Sequence, residues 1–574
     1  MSAEIDPITF EVIRNALTEI TETMSLALRR SAYSTNIKTR ADFSCALFDT
    51  NLQPVAQSFS QANHLGSLVK MVPQLVTEFG PERLEPGDVL VTNDPFRGGA
   101  HLNDILTVSA VFADGTPIAY VANLAHHVDV GGGAPASVGS FKEVYQEGIV
   151  IPGTRIVSRG EIVPDVLGLI LSQVRAKRET AGDFRAQFAA NVTGVQAFLA
   201  LVGRYGAETV GRYIEELIDY TDRRTGRELA ALPHGTYEAT GVIDNDGFTD
   251  EPVHLAARIV IDDTGVLFDL TGNDPERRAP VNSTFSQTFS ACAYVLKCLI
   301  DTDVPVNAGF YRHVRMIAPE GTVVHARHPA PVVGGWETNS RLTDVMFKAL
   351  APAMPELMPA GTKGMICHAG FGGVNPASGE FYCFLETLAG GYGGRSGLDG
   401  PDAVQAHGQN TENAPIEETE RNYPVRIERY ELVEDSEGAG TWRGGLGLRR
   451  DYRFPDHSVS FTVLSDRDRW GPHGLFGGDD AATARYVLNP GPDEQALSSK
   501  TTIELAPGDV VSYRTCGGGG YGPASERDPE LVLRDARNGM IGLERAASAY
   551  RVAIDPATWQ IDPIETQRLR EEAE

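Results

Sequence analysis

The sequence is short of cysteine and of positive charge, and it lacks the motifs that hold nucleotides. Six cysteines occur in 574 residues, none as a CxxC pair and none at zinc-finger spacing, which excludes a disulfide framework and a small structural zinc module. They read as reduced, mostly buried thiols, with Cys45 and Cys383 inside apolar runs (FSCALF, FYCFLETL) where a small hydrophobe packs well. Lys plus Arg total 50 against 77 Asp plus Glu, a formal charge of −27. That balance repels a phosphate backbone and speaks against a general nucleic-acid partner. No apolar run reaches the ~18 residues of a membrane helix, and the opening MSAEIDPITFEVIRNAL has neither the basic region nor the apolar stretch of a signal peptide. A cytoplasmic protein without membrane contact is expected. There is no GxxxxGK[ST], no GxGxxG placed between a strand and a helix, and no GxSxG elbow. The glycine-rich GAGTWRGGLG and CGGGGYG therefore read as tight turns or close backbone approach.

What is present is enough apolar residue, 42%, to bury real cores, in a chain long enough for about three domains. The pattern implies a mixed α/β (α+β), multidomain fold with a β-rich C-terminal part, divided as an N-terminal α/β domain at 1–232, a mixed middle domain at 233–415 and a β-rich domain at 416–574. Asp6 and Pro7 mark a helix start, followed by Phe10, Ile13, Leu17, Ile20, Met24 and Leu28 at helical spacing. DFSCALFDTNLQPVAQ reads as a hairpin turning at Asp49, Thr50 and Asn51, a helix follows near 65–79, and DVLVTND gives a buried strand. ILTVSAVF and PIAYVANL around the turn ADGT give a second hairpin. Residues 172–230 are helical, with Phe188, Val192, Val195 and Phe198 expected on one side. Strands are expected through 236–275, then a buried helix in FSQTFSACAYVLKCLI, then short strands such as YELV, VSFTVL and DVVSYRT.

The densest polar cluster is NDPFRGGAHLND with LAHHVDVGGG. A hairpin that starts just after Asp104 and ends just before His126 brings its mouths together, so His101, Asp104 and His126 can meet at one end of a sheet. Two imidazoles and one or two carboxylates suit one divalent metal, zinc first, manganese or iron as alternatives. The bland alternative makes His101 and His126 hydrogen-bonding residues of glycine-rich turns. His127 points to the opposite face if the segment is still extended. His64 and Glu147 are candidates for substrate binding or proton transfer, against readings as an ordinary helix-start histidine and a solvated glutamate.

Taken together, RADFSCALFD (40–49), NDPFRGGAHLND (93–104), HHVDVGG (126–132), EGIVIP (147–152), TENAPIEETE (411–420), DSEGAGTWRGGLGLRRDY (435–452), SDRDRWGPHGLFGG (465–478) and GGGGYG (517–522) resemble the signature blocks of the hydantoinase B/oxoprolinase family along nearly the whole chain. The resemblance implies metal ligands Asp42, His101, Asp104 and His126; Asp42 comes from the resemblance alone. It makes Asp94, His64, His127 and Glu147 candidates for the shell around them, the last three as catalytic groups. It implies a hydantoinase A-type partner that binds ATP and Mg, two copies of each chain, and a small cyclic amide (hydantoin, 5-oxoproline or a lactam) opened by water that the metal activates. An ATP-dependent ketone carboxylase and a non-catalytic scaffold for the ATPase partner are the alternatives. The chain departs from the family's pattern at Glu437, where a glycine is usual, and at Cys516, where proline is common, and both departures are expected to touch surface or partner-contact details.

Overall fold

The computed structural model describes residues 5–58, 61–263 and 265–571. Asp6 caps α1 (Pro7–Ser31) by accepting the Thr9 N–H at 2.8 Å, and the stripe Ile13, Leu17, Ile20, Met24, Leu28 is buried as the spacing requires. After the single turn of α2 (Thr35–Lys38) come β1 (Phe43–Phe48), β2 (Pro54–Gln57), α3 (Ala62–Phe79), β3 (Val89–Thr92), the long hairpin β4 (Asp104–Ala113) and β5 (Thr116–His126), β6 (Thr154–Ser158) and β7 (Glu161–Ile162). These strands form one antiparallel sheet in the order β2-β1-β5-β4-β3-β6-β7. Helices α4 (Pro164–Gln173), α5 (Lys177–Tyr205) and α6 (Ala207–Ala230) follow.

Strand alternation gives this sheet two different faces. Phe43, Cys45, Leu47, Val121 and Ala125 pack against α1, α5 and α6. Ala46, Phe48, Leu106, Val108, Ala122 and Leu124 lie under α3. The buried stripe of α5 is rotated from the expected one: Phe188 and Phe198 are buried, but Val192 is 52% exposed. Gln187 and Asn191 take the inward position instead. The Gln187 carbonyl and Asn191 Oδ1 both accept from Asn123 Nδ2, Gln187 donates to the Ile105 carbonyl, and Asn191 donates to Ser109. A buried amide ladder, which apolar periodicity does not register, sets the helix face. By length and composition α5 alone among the described helices is apolar enough to cross a bilayer, and this polar inner face marks it as a core helix.

A second sheet, β11 (Val314–Ile317), β10 (Gly265–Asp269), β9 (Val253–Asp262), β8 (Gly235–Ile243), packs on α7 (Phe285–Cys298), α8 (Ala308–Tyr311) and α9 (Gly335–Leu350). Beyond it, β12 (His368–Val374) and β13 (Phe381–Thr387) join β16 (Val459–Leu464) and β19 (Lys500–Leu505) in a third sheet, so that sheet draws on residues before and after 416. After α10 (Ile416–Asn422), β14 (Arg426–Leu432), β15 (Leu448–Arg453), β17 (Arg485–Leu488), β18 (Gln495–Ala496) and β20 (Val510–Arg514) make a fourth. The glycine-rich segments are threaded between these sheets: a Cβ on Gly444 would stand 1.7 Å from the Gly518 carbonyl oxygen, and one on Gly518 2.0 Å from that of Tyr392. Close backbone approach, as expected, is what those glycines permit.

The chain ends in α11 (Pro529–Arg537), α12 (Leu543–Ser548), the small pair β21 (Ile554–Asp555) and β22 (Gln560–Ile561), and α13 (Pro563–Glu571), with a small core of their own. Here the expectation for Glu437 and Cys516 needs correction, because both are fully buried. Glu437 Oε1 accepts from Arg545 Nε (2.6 Å) and Tyr550 Oη (3.0 Å), so the residue that departs from the usual glycine anchors the terminal segment to the body. Burial raises its carboxyl pKa and the Arg545 charge pulls it back, leaving a net upward shift.

Candidate metal centre

The sheet itself assembles the site. Asp104 and His126 are directly opposite in the β4–β5 register, and the His126 N–H donates to the Asp42 carbonyl one residue before β1. Asp42, His126 and Asp104 therefore form a row across three neighbouring strands, all on the α3 face. The turn that carries the chain into β4 brings in His101, whose Nε2 lies 3.2 Å from Asp104 Oδ2 and whose ring centroid lies 4.9 Å from that of His126. From above, the first turn of α3 presents His64, with Nε2 at 3.4 Å from Asp104 and 3.7 Å from Asp42. One ligand atom each from His101, Asp104 and His126 lies within 4.8 Å of the others. Asp42 stands in the same row but outside that trio, facing His64.

The electrostatics are those of groups that need a common partner. Both oxygens of Asp104, both nitrogens of His101 and Nδ1 of His64 are buried with no hydrogen bond, at a cost that proteins do not usually leave unmet. Burial opposes ionisation of Asp104, yet His101, His64 and His126 outweigh it and hold the carboxyl far below its usual range. Burial likewise opposes charging His101, but Asp104, Glu147 and Asp42 raise its pKa on balance. His126 is pushed well down by burial and by the neighbouring His101, so it stays neutral and free to coordinate. The Asn36 amide, 3.3 Å from His126 Nδ1, fixes the ring from behind. This donor set fits a divalent ion of the borderline class.

The other expected residues divide. His127 points to the opposite sheet face, where Nε2 lies 2.9 Å from Gln187 Oε1 and the ring packs on Phe184; the structure does not bring it to the cluster. Glu147 is buried, not solvated: Oε1 accepts the N–H groups of Val332 (2.6 Å) and Val333 (2.9 Å), Oε2 has no partner, and burial pushes its pKa up to about 8 against those bonds and His101. Asp94 is half-buried; its side chain accepts the Phe96 N–H, and its carbonyl accepts the Gly99 N–H that closes the turn 94–99.

Above the row is a cleft of ≈ 330 Å³, part of it open to solvent, and most of its far wall comes from segments that no sequence signal marked. Trp336 opens α9, and its ring centroid is 6.4 Å from that of His64. His368 opens β12, its Nδ1 3.2 Å from Glu337 Oε1, while Glu337 also accepts the Ile366 and Cys367 N–H groups. Gln61, Gln409 and Thr411 also line the cleft. His368 stands alone in MICHAGFGG, with no spacing to mark it. Thr411 opens the recognised block TENAPIEETE, whereas Gln61 and Gln409 lie outside the recognised blocks. A second acidic trio, Asp244, Asp466 and Asp468, is of another kind, since Asp466 is already paired with Arg341 (2.8 Å) and Lys500 (3.0 Å).

Residues 6–524 match the family model Hydantoinase B/oxoprolinase. The chain is 38% identical over 573 residues to an uncharacterized protein of Methanocaldococcus jannaschii (99% of this chain, 100% of the relative). It is 30% identical over 587 residues to the B component of a putative D-/L-hydantoinase of a Pseudomonas species (99% and 98%). Among solved structures it superposes on the ATP-dependent caprolactamase of Pseudomonas jessenii with a TM-score of 0.92 at 29% identity, covering 99% of this chain and 100% of that one. An acetone carboxylase shares the fold at TM-score 0.91 and 18% identity (99% and 83%).

Proposed function

The chain belongs to the hydantoinase B/oxoprolinase family, and on that premise we propose that it is the metal-carrying B-type subunit of an ATP-dependent hydrolase that opens a cyclic amide, hydantoin, 5-oxoproline or another lactam. Its partner is a separate hydantoinase A-type subunit that binds ATP and Mg, in a complex with two of each chain. The observation that carries this reading is the convergence of His101, Asp104 and His126, with the ligand atoms of His101 and Asp104 buried and facing only one another and His64. An amide is a poor electrophile, and ATP on the partner activates it by phosphorylating its oxygen. A divalent metal, zinc first, supplies the Lewis acidity that makes water a nucleophile at neutral pH.

The protein's own residues do the rest. Asp42 and Asp104 bring two negative charges to balance a dication, with His101 and His126 completing the set. His64 faces both carboxylates across the cleft and is placed to take a proton from the attacking water. His368, oriented by Glu337, stands on the opposite wall and can return a proton to the leaving nitrogen. Trp336 offers a flat apolar surface for a ring. Glu147, with one buried oxygen free of hydrogen bonds and its charge felt by His101, is a second candidate for proton transfer.

Elemental analysis of the purified chain and of the four variants D42A, H101A, D104A and H126A tests the ligand set. About one divalent metal per wild-type chain, lost in the last three and weakened in D42A, is expected. Stoichiometric metal in all four would overturn it.

A further inference from the structure

We propose that Gln61 and Gln409 form an amide-reading edge of the cleft and select secondary cyclic amides, those whose ring nitrogen still carries hydrogen. The inference rests on the cyclic-amide reading above and deepens it. Gln61 is 3% exposed. Gln61 lines the cleft, and its Oε1 accepts the Asn410 N–H at 2.6 Å, which fixes the side-chain amide and leaves Nε2 buried and without a hydrogen-bond partner. Gln409 sits next to that same Asn410. It donates Nε2 to Thr411 Oγ1 at 3.1 Å and leaves Oε1 buried and unpartnered on the same cleft wall.

One orphan donor is thus held by the Asn410 N–H and one orphan acceptor by Thr411 Oγ1, on residues next to each other in the chain. A ring small enough to force its amide into the cis form presents a carbonyl oxygen and an N–H along one edge. That edge is the complement of this pair: Gln61 Nε2–H donates to the ring carbonyl oxygen, and Gln409 Oε1 accepts the ring N–H. An N-alkylated ring offers no hydrogen, leaves Gln409 Oε1 buried and unmet, and is disfavoured on the order of 10-fold or more. Donation from Gln61 also grows stronger as negative charge gathers on the carbonyl oxygen.

The test uses the metal-loaded chain in complex with its ATP-binding partner. Its substrates are whichever of hydantoin, 5-oxoproline and ε-caprolactam is turned over fastest, and the N-methyl derivative of that compound. Wild type is expected to prefer the N–H form about 10-fold or more in kcat/KM, and Gln409→Met to lose the preference. Gln61→Glu keeps the acceptor for Asn410 N–H while removing the donor, and should lower kcat/KM for both forms with metal content unchanged. Equal use of both forms by wild type, or an undiminished preference in Gln409→Met, overturns the inference and leaves the parent reading standing. Turnover of no cyclic amide by wild type overturns both.

Discussion

At the scale of single residues, the site follows from side-chain alternation across a sheet. His126 and His127 are neighbours in sequence and lie on opposite faces, one with His101 and Asp104 and one on Gln187 of α5. That division was legible from the extended pattern alone. So was the meeting of His101 with Asp104 and His126, because a hairpin returns its ends together. Asp42 came from family resemblance only; its carbonyl pairs with His126 and its side chain faces His64 on the same side of the sheet, outside the His101, Asp104 and His126 trio. Glu337, Trp336 and His368 were not legible, since they reach the cleft through tertiary packing of segments remote in sequence from β5. The Glu437 anchor was equally hidden, its partner Arg545 lying 108 positions on. Replacing Glu437 with glycine should weaken the terminal segment by roughly 3 kcal/mol, the cost of breaking a buried ion pair. Limited proteolysis should then release residues from about 525 onward while the metal is retained, and a protease-resistant E437G would contradict the anchoring role.

At the scale of elements, the periodic apolar patterns gave helices and hairpins where they stand, and failed where polar groups are buried. α5 shows this best: Phe188 and Phe198 are inward, but Val192 yields its place to Gln187 and Asn191. V192D should therefore change the stability of the isolated chain by no more than about 0.5 kcal/mol, whereas F198D, which puts a charge into the core, should cost several kcal/mol or prevent folding. Thermal melts of the two variants distinguish the observed helix rotation from the expected one. The segment that carries Glu147 offers a pH test. Burial pushes its carboxyl up to about 8 in the folded chain against an ordinary value of 4.5, so the unfolded chain loses its proton first. Stability from this group is full below about pH 4.5, falls as pH rises toward 8, and is level above that. Glutamine keeps the acceptor for Val332 and Val333 and carries no charge. Metal-free E147Q should match wild type in acid and melt higher at pH 8, and identical melting curves at both pH values would remove Glu147 as a buried titrating group.

At the scale of the whole molecule, the β4–β5 hairpin, the first turn of α3, the start of α9 and the start of β12 close on one cleft, so the site exists only in the assembled chain. The sequence holds no phosphate loop of a known pattern, and the glycine-rich segments are occupied in packing backbone against backbone. Calorimetry of the isolated chain should accordingly detect no tight ATP binding, and tight binding would contradict the proposed division of labour with a partner. The central claim is that the two chains together add water to a cyclic amide. Its most direct measurement is turnover of hydantoin, 5-oxoproline and ε-caprolactam by the reconstituted complex in ¹⁸O-labelled water with ATP, followed by mass spectrometry of the product. The account predicts an opened amino or carbamoyl acid whose new carboxylate carries oxygen from water, formed with ADP and abolished by H126A. Untouched cyclic amides, with carbon from labelled bicarbonate appearing instead in a new carboxylate on a ketone, would contradict it.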